Sequence, residues 1–66
     1  MKINVKMLGN SFAVELEEGS TSKELVEKLH LASSPVMCHR NGQMLERGDI
    51  LNDGELVELR FMYGGG

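Results

Sequence analysis

A single helix signal, placed among alternating segments, constrains the fold of this chain most. Thr21 and Glu24 form a capping box, which predicts a helix that begins near Ser22. Its apolar face carries Leu25, Val26 and Leu29. The helix should end at Ser33-Ser34-Pro35, because proline lacks an amide hydrogen and disfavours helix in the residue before it. One helix with one apolar face needs a single sheet to cover that face.

Two strands are predicted before the helix. Residues 1–8 alternate, and one face carries Ile3, Val5 and Met7. Gly9-Asn10 is a turn pair that favours a tight hairpin. The second strand alternates in the same way, with Phe12, Val14 and Leu16 on one face. The two strands should therefore pair antiparallel.

Three more strands are predicted after the helix. Val36–Arg40 is a third strand, and Asn41-Gly42 is the strongest two-residue hairpin signal in the sequence. A short return strand, Gln43–Leu45, should follow. Leu56–Met62 alternates and is predicted as the last strand. In the connection between the short return strand and the last strand, Asp53-Gly54 is a turn pair. Ile50 and Leu51 of the same connection are expected to fill the core.

The order strand, strand, helix, strand, short strand, strand predicts an α+β fold. The arrangement that fits this order is the β-grasp, a mixed four- to five-stranded sheet with one helix packed across it. Residues 1–63 should form the domain, and residues 64–66 a flexible C-terminal glycine tail. The predicted core comprises Ile3, Val5, Phe12, Val14, Leu16, Leu25, Leu29, Val57 and Leu59.

Composition argues against several classes of function. A 66-residue chain buries only about 60% of its unfolded surface, so a deep catalytic cleft, and therefore an enzyme, is not expected. A net charge of -3 argues against nucleic acid or an anionic membrane as partner. The one cysteine, Cys38, cannot form an internal disulfide and fits a reducing cytoplasm. We expect a cytoplasmic domain that is monomeric when free, carries no cofactor and works through protein partners.

Cys38, His39 and His30 could suggest metal or thiol chemistry. Adjacent residues of a strand point to opposite faces, so Cys38 and His39 cannot readily hold one ion together. Cys38 is instead predicted as a small core residue. His30 is predicted to interact with the negative end of the helix. No metal site is expected.

The chain ends in Tyr63-Gly64-Gly65-Gly66, directly after the last predicted strand. Glycines add no packing and are costly to order, so the fold itself gains nothing from them. A glycine tail can thread a channel that any side chain would block. The α-carboxyl of Gly66, with a reference pKa of about 3.5, is ionised at neutral pH and can attack the α-phosphate of ATP. The alternative is a frayed end without function.

The sequence resembles the ubiquitin-like sulfur carriers. The resemblance rests on the predicted element order, on residues 39–43 (His-Arg-Asn-Gly-Gln), on residues 51–55 (Leu-Asn-Asp-Gly-Glu) and on a strand that runs into Gly65-Gly66. That family includes the thiamine-pathway sulfur carrier, the small subunit of molybdopterin synthase and the small archaeal modifier proteins. The Asn-Gly and Asp-Gly turns are common one by one, and their joint order with a terminal Gly-Gly is more specific.

The resemblance implies a function that the residues alone do not give. An ubiquitin-activating-like enzyme would adenylate Gly66 with ATP. The acyl-adenylate would become a thiocarboxylate for a sulfur acceptor enzyme in cofactor or tRNA thiolation. Alternatively, it would pass to lysines of target proteins, as in a protein modifier. Gly65 and Gly66 are the site residues, and Gly64 departs from the usual larger residue at that place. If Gly66 is surplus, Gly65 is the reactive end, and a plain interaction module is the third alternative.

Overall fold

The computed structural model describes residues 1–62. The predicted tail, residues 64–66, lies outside the described residues, as does Tyr63. The described chain forms six elements, in chain order β1 Lys2–Met7, β2 Asn10–Glu15, α1 Ser22–Lys28, β3 Val36–Arg40, β4 Gln43–Met44 and β5 Leu56–Phe61.

The strands form one mixed sheet in the order β2-β1-β5-β3-β4. β1 and β5 run parallel, and the other neighbouring pairs are antiparallel. The helix α1 places Leu25 in the same buried cluster as residues from β1 and β5. The predicted β-grasp architecture is therefore confirmed, with five strands and one helix.

Each of the two hairpin turns contains a glycine, but only one of them lies at the predicted pair of residues. Asn41 and Gly42 have φ values of 51° and 79°, and Arg40 pairs with Gln43, so this two-residue turn is confirmed. In the first hairpin Met7 pairs with Asn10, so Leu8 and Gly9 form the turn. The prediction of a Gly9-Asn10 turn is wrong by one residue, and Leu8 takes a φ of 51° that leucine seldom adopts.

The core confirms most of the predicted residues. Phe12 is an error, because its side chain is 37% exposed on the edge strand β2, where no further strand covers it. Ile50 is a second error, with 60% exposure, whereas its neighbour Leu51 is buried. Leu16 and Leu29 pack against the core but are only partly buried. The buried apolar residues are Ile3, Val5, Val14, Leu25, Cys38, Leu45, Leu51, Val57 and Leu59.

The helix begins as predicted and ends earlier than predicted. The amide of Thr21 donates to Glu24 Oε1 at 3.0 Å, which completes one half of the capping box. The helix ends at Lys28, before Pro35, because His30 takes a left-handed φ of 59°. The amides of Leu31 and His30 then donate to the carbonyls of Val26 and Glu27, at 2.9 and 3.0 Å. These two bonds form a Schellman motif.

His30→Gly is expected to stabilise the protein. Left-handed backbone costs an L-residue about 1–2 kcal/mol, whereas glycine in an ordered position loses about 0.5–1 kcal/mol in entropy. The free energy of unfolding should therefore rise by up to about 1 kcal/mol. Urea unfolding measures this difference. His30→Ala, which keeps the Cβ, is the matched control and should show no such gain; equal gains in both variants would contradict a backbone cause.

Candidate functional site

The last strand, β5, precedes the predicted site residues Gly65 and Gly66 in the sequence. β5 lies between β1 and β3, so it is hydrogen-bonded on both sides. Near its end Phe61 pairs with Val36, and the amide of Met62 then donates to the carbonyl of Pro35 at 2.6 Å. The backbone is thus held in place up to the last described residue. Tyr63 and the glycines follow directly in the sequence.

A partly buried ion pair between Arg40 and Glu55 fixes the start of β5. It is called here the Arg40–Glu55 clamp. Arg40 Nε and Nη2 donate to the two carboxylate oxygens of Glu55 at 2.6 and 2.9 Å. Nη2 also donates to the carbonyl of Ile50 at 2.9 Å, and the amide of Asn52 donates to Glu55 Oε2 at 2.6 Å. The clamp ties the connection between β4 and β5 to the end of β3. Sequence reasoning missed it, although both residues flank turn pairs that it had identified.

A second set of contacts holds the same connection to β1. Asp53 Oδ1 accepts a hydrogen bond from the amide of Lys2 at 2.7 Å, and the amide of Gly54 donates to the carbonyl of Lys2 at 2.7 Å. The amide of Asn4 donates to the carbonyl of Glu55 at 2.9 Å. The Asp53-Gly54 turn therefore sets where β5 begins. Together with the clamp, it fixes the position from which β5 runs toward the tail.

The clamp shifts the pKa values of both of its partners. The hydrogen bond from Arg40 lowers the pKa of Glu55, and the amide of Asn52 adds to this effect against the opposing effect of burial. The same hydrogen bond raises the pKa of Arg40. A carboxylate with a lowered pKa in the folded state stabilises the fold above its unfolded pKa of about 4.3. That contribution is lost as pH falls through the folded pKa.

Glu55→Gln should lower the free energy of unfolding by about 1–2 kcal/mol at pH 7. The expected value lies between an exposed ion pair and a buried hydrogen bond to a charged group, because the side chains of Glu55 and Arg40 are 14% and 30% exposed. The difference from wild type should shrink below about pH 4. Urea titrations at several pH values measure it.

The chain offers a matched control for this charge removal. Glu58 pairs with Arg60 at 3.1 Å, with side chains 36% and 56% exposed. Glu58→Gln should therefore change stability by only a few tenths of a kcal/mol. Equal losses in the two variants would mean that Glu55 acts only as a surface charge.

The structure places the cysteine and one of the histidines in different surroundings. Cys38 is buried and belongs to the core, as predicted. Burial raises the pKa of its thiol to about 11, which disfavours the thiolate form at neutral pH. Among residues 1–62, no group of three or more candidate ligands could hold a metal ion. His30 is exposed, and the structure gives it the backbone role at the helix end described above.

An apolar groove lies beside the end of β5 and was not predicted. This α1–β3 groove has a volume of about 540 Å³. Its lining includes apolar residues of α1, of β3 and of the segment before β3, together with Met62. Lys23 and Arg47 also line it, and the amide of Lys23 donates to the carbonyl of Arg47 at 3.1 Å. The residues that line it are scattered along the chain, so no local sequence pattern indicates it.

Comparisons with known proteins agree with this architecture. The N-terminal ubiquitin-like domain of the 4931431F19Rik protein superposes with a TM-score of 0.77 at 22% identity, over 100% of this chain and 78% of that one. The fold is the ubiquitin-like β-grasp. SAMP1 from Haloferax volcanii, a small archaeal modifier, superposes with a TM-score of 0.75 at 15% identity, over 100% of both chains. A protein designed on the basis of ubiquitin reaches 0.75 at 25% identity, over 100% of this chain and 94% of that one.

Sequence comparison adds nothing to the structural likeness. No protein-family model matches the chain, and no curated protein matches it in sequence. In the part of the chain that the structure describes, no helix has the length and apolar character needed to cross a membrane. The site residues Gly65 and Gly66 lie outside the described residues, so their role stays a prediction.

Proposed function

We propose that this protein is an ubiquitin-like sulfur carrier. Its C-terminal Gly66 is the acyl group that a separate adenylating enzyme activates with ATP. The protein is then a cosubstrate and not a catalyst. Cytoplasm is the proposed compartment, because the free thiol of Cys38 suits a reducing environment.

The observation that carries the proposal is the continuity of a fixed strand with a glycine tail. β5 is hydrogen-bonded to a strand on each side. The amide of Met62, only two residues before Gly64, donates a hydrogen bond to the carbonyl of Pro35. A partner that docks on the folded domain therefore finds the strand that precedes the glycines at a defined place. The full-length likeness to SAMP1, a small archaeal modifier, supports the same class of protein.

The chemistry needs only the terminal carboxylate from this chain. An oxygen of the Gly66 carboxylate attacks the α-phosphorus of ATP, which forms an acyl-adenylate and releases pyrophosphate. Hydrosulfide, as the sulfur nucleophile, displaces AMP and leaves a thiocarboxylate. The sulfur of the thiocarboxylate then attacks the substrate of a sulfur acceptor enzyme, and hydrolysis of the acyl–sulfur bond leaves the sulfur on that substrate and returns the Gly66 carboxylate. The glycines suit this step, because the absence of Cβ atoms lets them enter a narrow channel.

A protein modifier is the second candidate, favoured by the same SAMP1 likeness. In that case a lysine amine of a target protein displaces AMP, and an isopeptide bond forms. Mass spectrometry of the protein from its native cells separates the two. A mass gain at the C-terminus equal to the replacement of one oxygen by sulfur supports the carrier. Branched Gly-Gly remnants on lysines of other proteins support the modifier, and the absence of both favours a plain interaction module.

A further inference from the structure

The outer edge of β2 carries backbone groups that point away from the sheet. Just beyond the end of β2, the Met1 ammonium donates to the carbonyl of Leu16 at 2.6 Å, and the amide of Leu16 donates to the carbonyl of Met1 at 2.9 Å. Paired bonds of this kind recur at every second residue of an antiparallel pair, so the even-numbered residues of β2 bond to β1. The odd-numbered residues direct their amides and carbonyls away from β1, and these are Ser11, Ala13 and Glu15.

Nothing in residues 1–62 covers this edge. The sheet order ends at β2, and no described hydrogen bond joins the backbone of Ser11, Ala13 or Glu15 to an element on the outer side. The opposite edge strand, β4, has only two residues, whereas β2 has six. Proteins commonly protect a long edge with proline, lysine or a bulge, and β2 contains none of these. β2 is therefore the edge with room for another strand.

Phe12 supplies an apolar contact beside this edge. It pairs with Val5, which is fully buried, so the ring of Phe12 lies on the helix-facing side of the sheet. The ring is partly exposed, because no described strand lies beyond β2. A strand added there would bring a side chain to within about 5 Å of the ring's Cβ. The edge therefore favours an extended segment with an apolar residue opposite Phe12.

An acidic groove continues from the end of this edge toward α1. This β2–α1 groove has a volume of about 910 Å³. Lys28 and His30 line it, together with four carboxylates, which belong to Glu15, Glu17, Glu24 and Glu27. An added strand that passes Glu15 enters this groove, because Glu15 belongs both to the edge and to the groove lining.

Two of the four carboxylates have a cation nearby. The Met1 ammonium lies 3.7 Å from Glu15 Oε2, and Lys23 Nζ lies 4.0 Å from Glu27 Oε2. Both carboxylates are more than half exposed, so water screens these pairs and leaves them weak. The other two form no ion pair with a described residue, and these are Glu17 and Glu24. The groove therefore attracts positive charge.

We propose that the β2 edge is a docking surface for an extended, basic segment of a partner protein. The segment adds to the sheet as a sixth strand, and its backbone pairs with the outward groups of β2. An apolar side chain covers Phe12, and lysine or arginine side chains reach the β2–α1 groove. A second copy of this chain fits less well, because each copy carries a net charge of -3 and its own acidic groove at the edge. The inference does not depend on whether Gly66 is activated.

A synthetic heptapeptide with blocked ends, Lys-Lys-Val-Thr-Val-Lys-Lys, is the probe. Its order reads the same in both directions, so it suits a parallel or an antiparallel added strand. Amide hydrogen exchange of the protein, followed by NMR, is the measurement. At a saturating peptide concentration the amides of Ser11, Ala13 and Glu15 should exchange at least about tenfold more slowly. The amides of Phe12 and Val14 already bond to β1, so their exchange should stay unchanged.

Two control peptides separate backbone pairing from charge. A peptide with glutamate in place of each lysine keeps the central strand-forming residues and should not slow exchange, because the groove repels it. A peptide with N-methyl groups on its three central residues keeps the charge but lacks their amide donors. It should also leave exchange at Ser11, Ala13 and Glu15 unchanged.

A matched pair of variants tests the groove. Glu17→Lys should weaken binding of the lysine peptide about five- to tenfold, because it replaces attraction by repulsion at an exposed site. Glu46→Lys makes the same change of charge at an exposed residue that does not line the groove. It should weaken binding less than about twofold, because salt screens distant charges.

Four results would overturn the proposal. The first is no change of exchange when the lysine peptide is added. The second is equal slowing at Phe12 and Ser11, which would mean general stabilisation and not pairing at the edge. The third is an equal loss of binding in Glu17→Lys and Glu46→Lys. The fourth is slow exchange at Ser11, Ala13 and Glu15 that appears without peptide as the protein concentration rises, because a second copy would then occupy the edge.

Discussion

Deleting Gly65 and Gly66 is expected to abolish adenylation by the cognate activating enzyme. The enzyme must bring the terminal carboxylate to within about 3–3.5 Å of the α-phosphate of ATP. A tail that is two residues shorter falls short by roughly 7 Å, at about 3.5 Å per extended residue. A flexible tail cannot make up that distance once the folded body is docked on the enzyme, because the backbone at Met62 is held by its hydrogen bond to Pro35.

ATP–pyrophosphate exchange is the measurement, and thermal melting is the folding control. The truncated protein should melt as wild type does, because the deletion removes none of the core residues and hydrogen bonds that the structure describes in residues 1–62. Exchange at the wild-type rate with the truncated protein would show that the tail is not the substrate. A plain interaction module would then become the better hypothesis.

Gly65→Val tests the width of the channel without changing the length of the tail. Valine is β-branched, and therefore both wide and stiff, so the variant should also fail in exchange. Gly48→Val is the matched control. A Cβ at Gly48 meets no atom within 4 Å, and Gly48 does not have a left-handed φ. This control should therefore keep the wild-type exchange rate.

The sequence predicts the architecture because its local signals agree with one another. The capping box at Thr21 and the Asn41-Gly42 turn each indicate one backbone conformation, and the structure has both. Alternation correctly separates Ile3 and Val5 from their polar neighbours. These signals are local, since each depends on residues within a few positions of one another.

The errors lie where tertiary context decides. Alternation places Phe12 on the correct face, but it does not show that β2 is an edge strand. In the same way, Ile50 and Leu51 are equally apolar, and only the path of the connection decides that Leu51 enters the core. The helix ends early because His30 adopts a left-handed conformation. No glycine stands at this position to indicate such an end in the sequence.

The sequence indicates Gly65 and Gly66 as site residues, and their role stays a prediction because they lie outside the described residues. The surroundings of the site could not be predicted from residue spacing. The Arg40–Glu55 clamp joins residues 15 apart, and the α1–β3 groove joins α1, β3 and the end of β5. Such juxtapositions follow from the topology, which residue spacing alone does not supply.

Leu25→Ala is expected to cost about 2–5 kcal/mol in the free energy of unfolding. Leu25 is fully buried, and it belongs to the same core as Ile3, Val5 and Val57. At about 0.05–0.15 kcal/mol per residue, a chain of this length has a total stability of only about 3–10 kcal/mol. The substitution therefore removes a large part of the stability and should move the urea midpoint well below that of wild type.

Urea unfolding of Leu25→Ala beside Leu29→Ala tests which face of α1 is buried. Leu29 is only partly buried, so its loss should be smaller, about 1–2 kcal/mol. Equal losses would mean that the helix is rotated from the orientation described here. Because Leu25 shares the core with Val57 and Leu59 of β5, its loss also weakens the strand that carries the tail. Exchange activity of Leu25→Ala should then fall in proportion to the unfolded fraction, whereas the tail deletion abolishes exchange in a protein that stays folded.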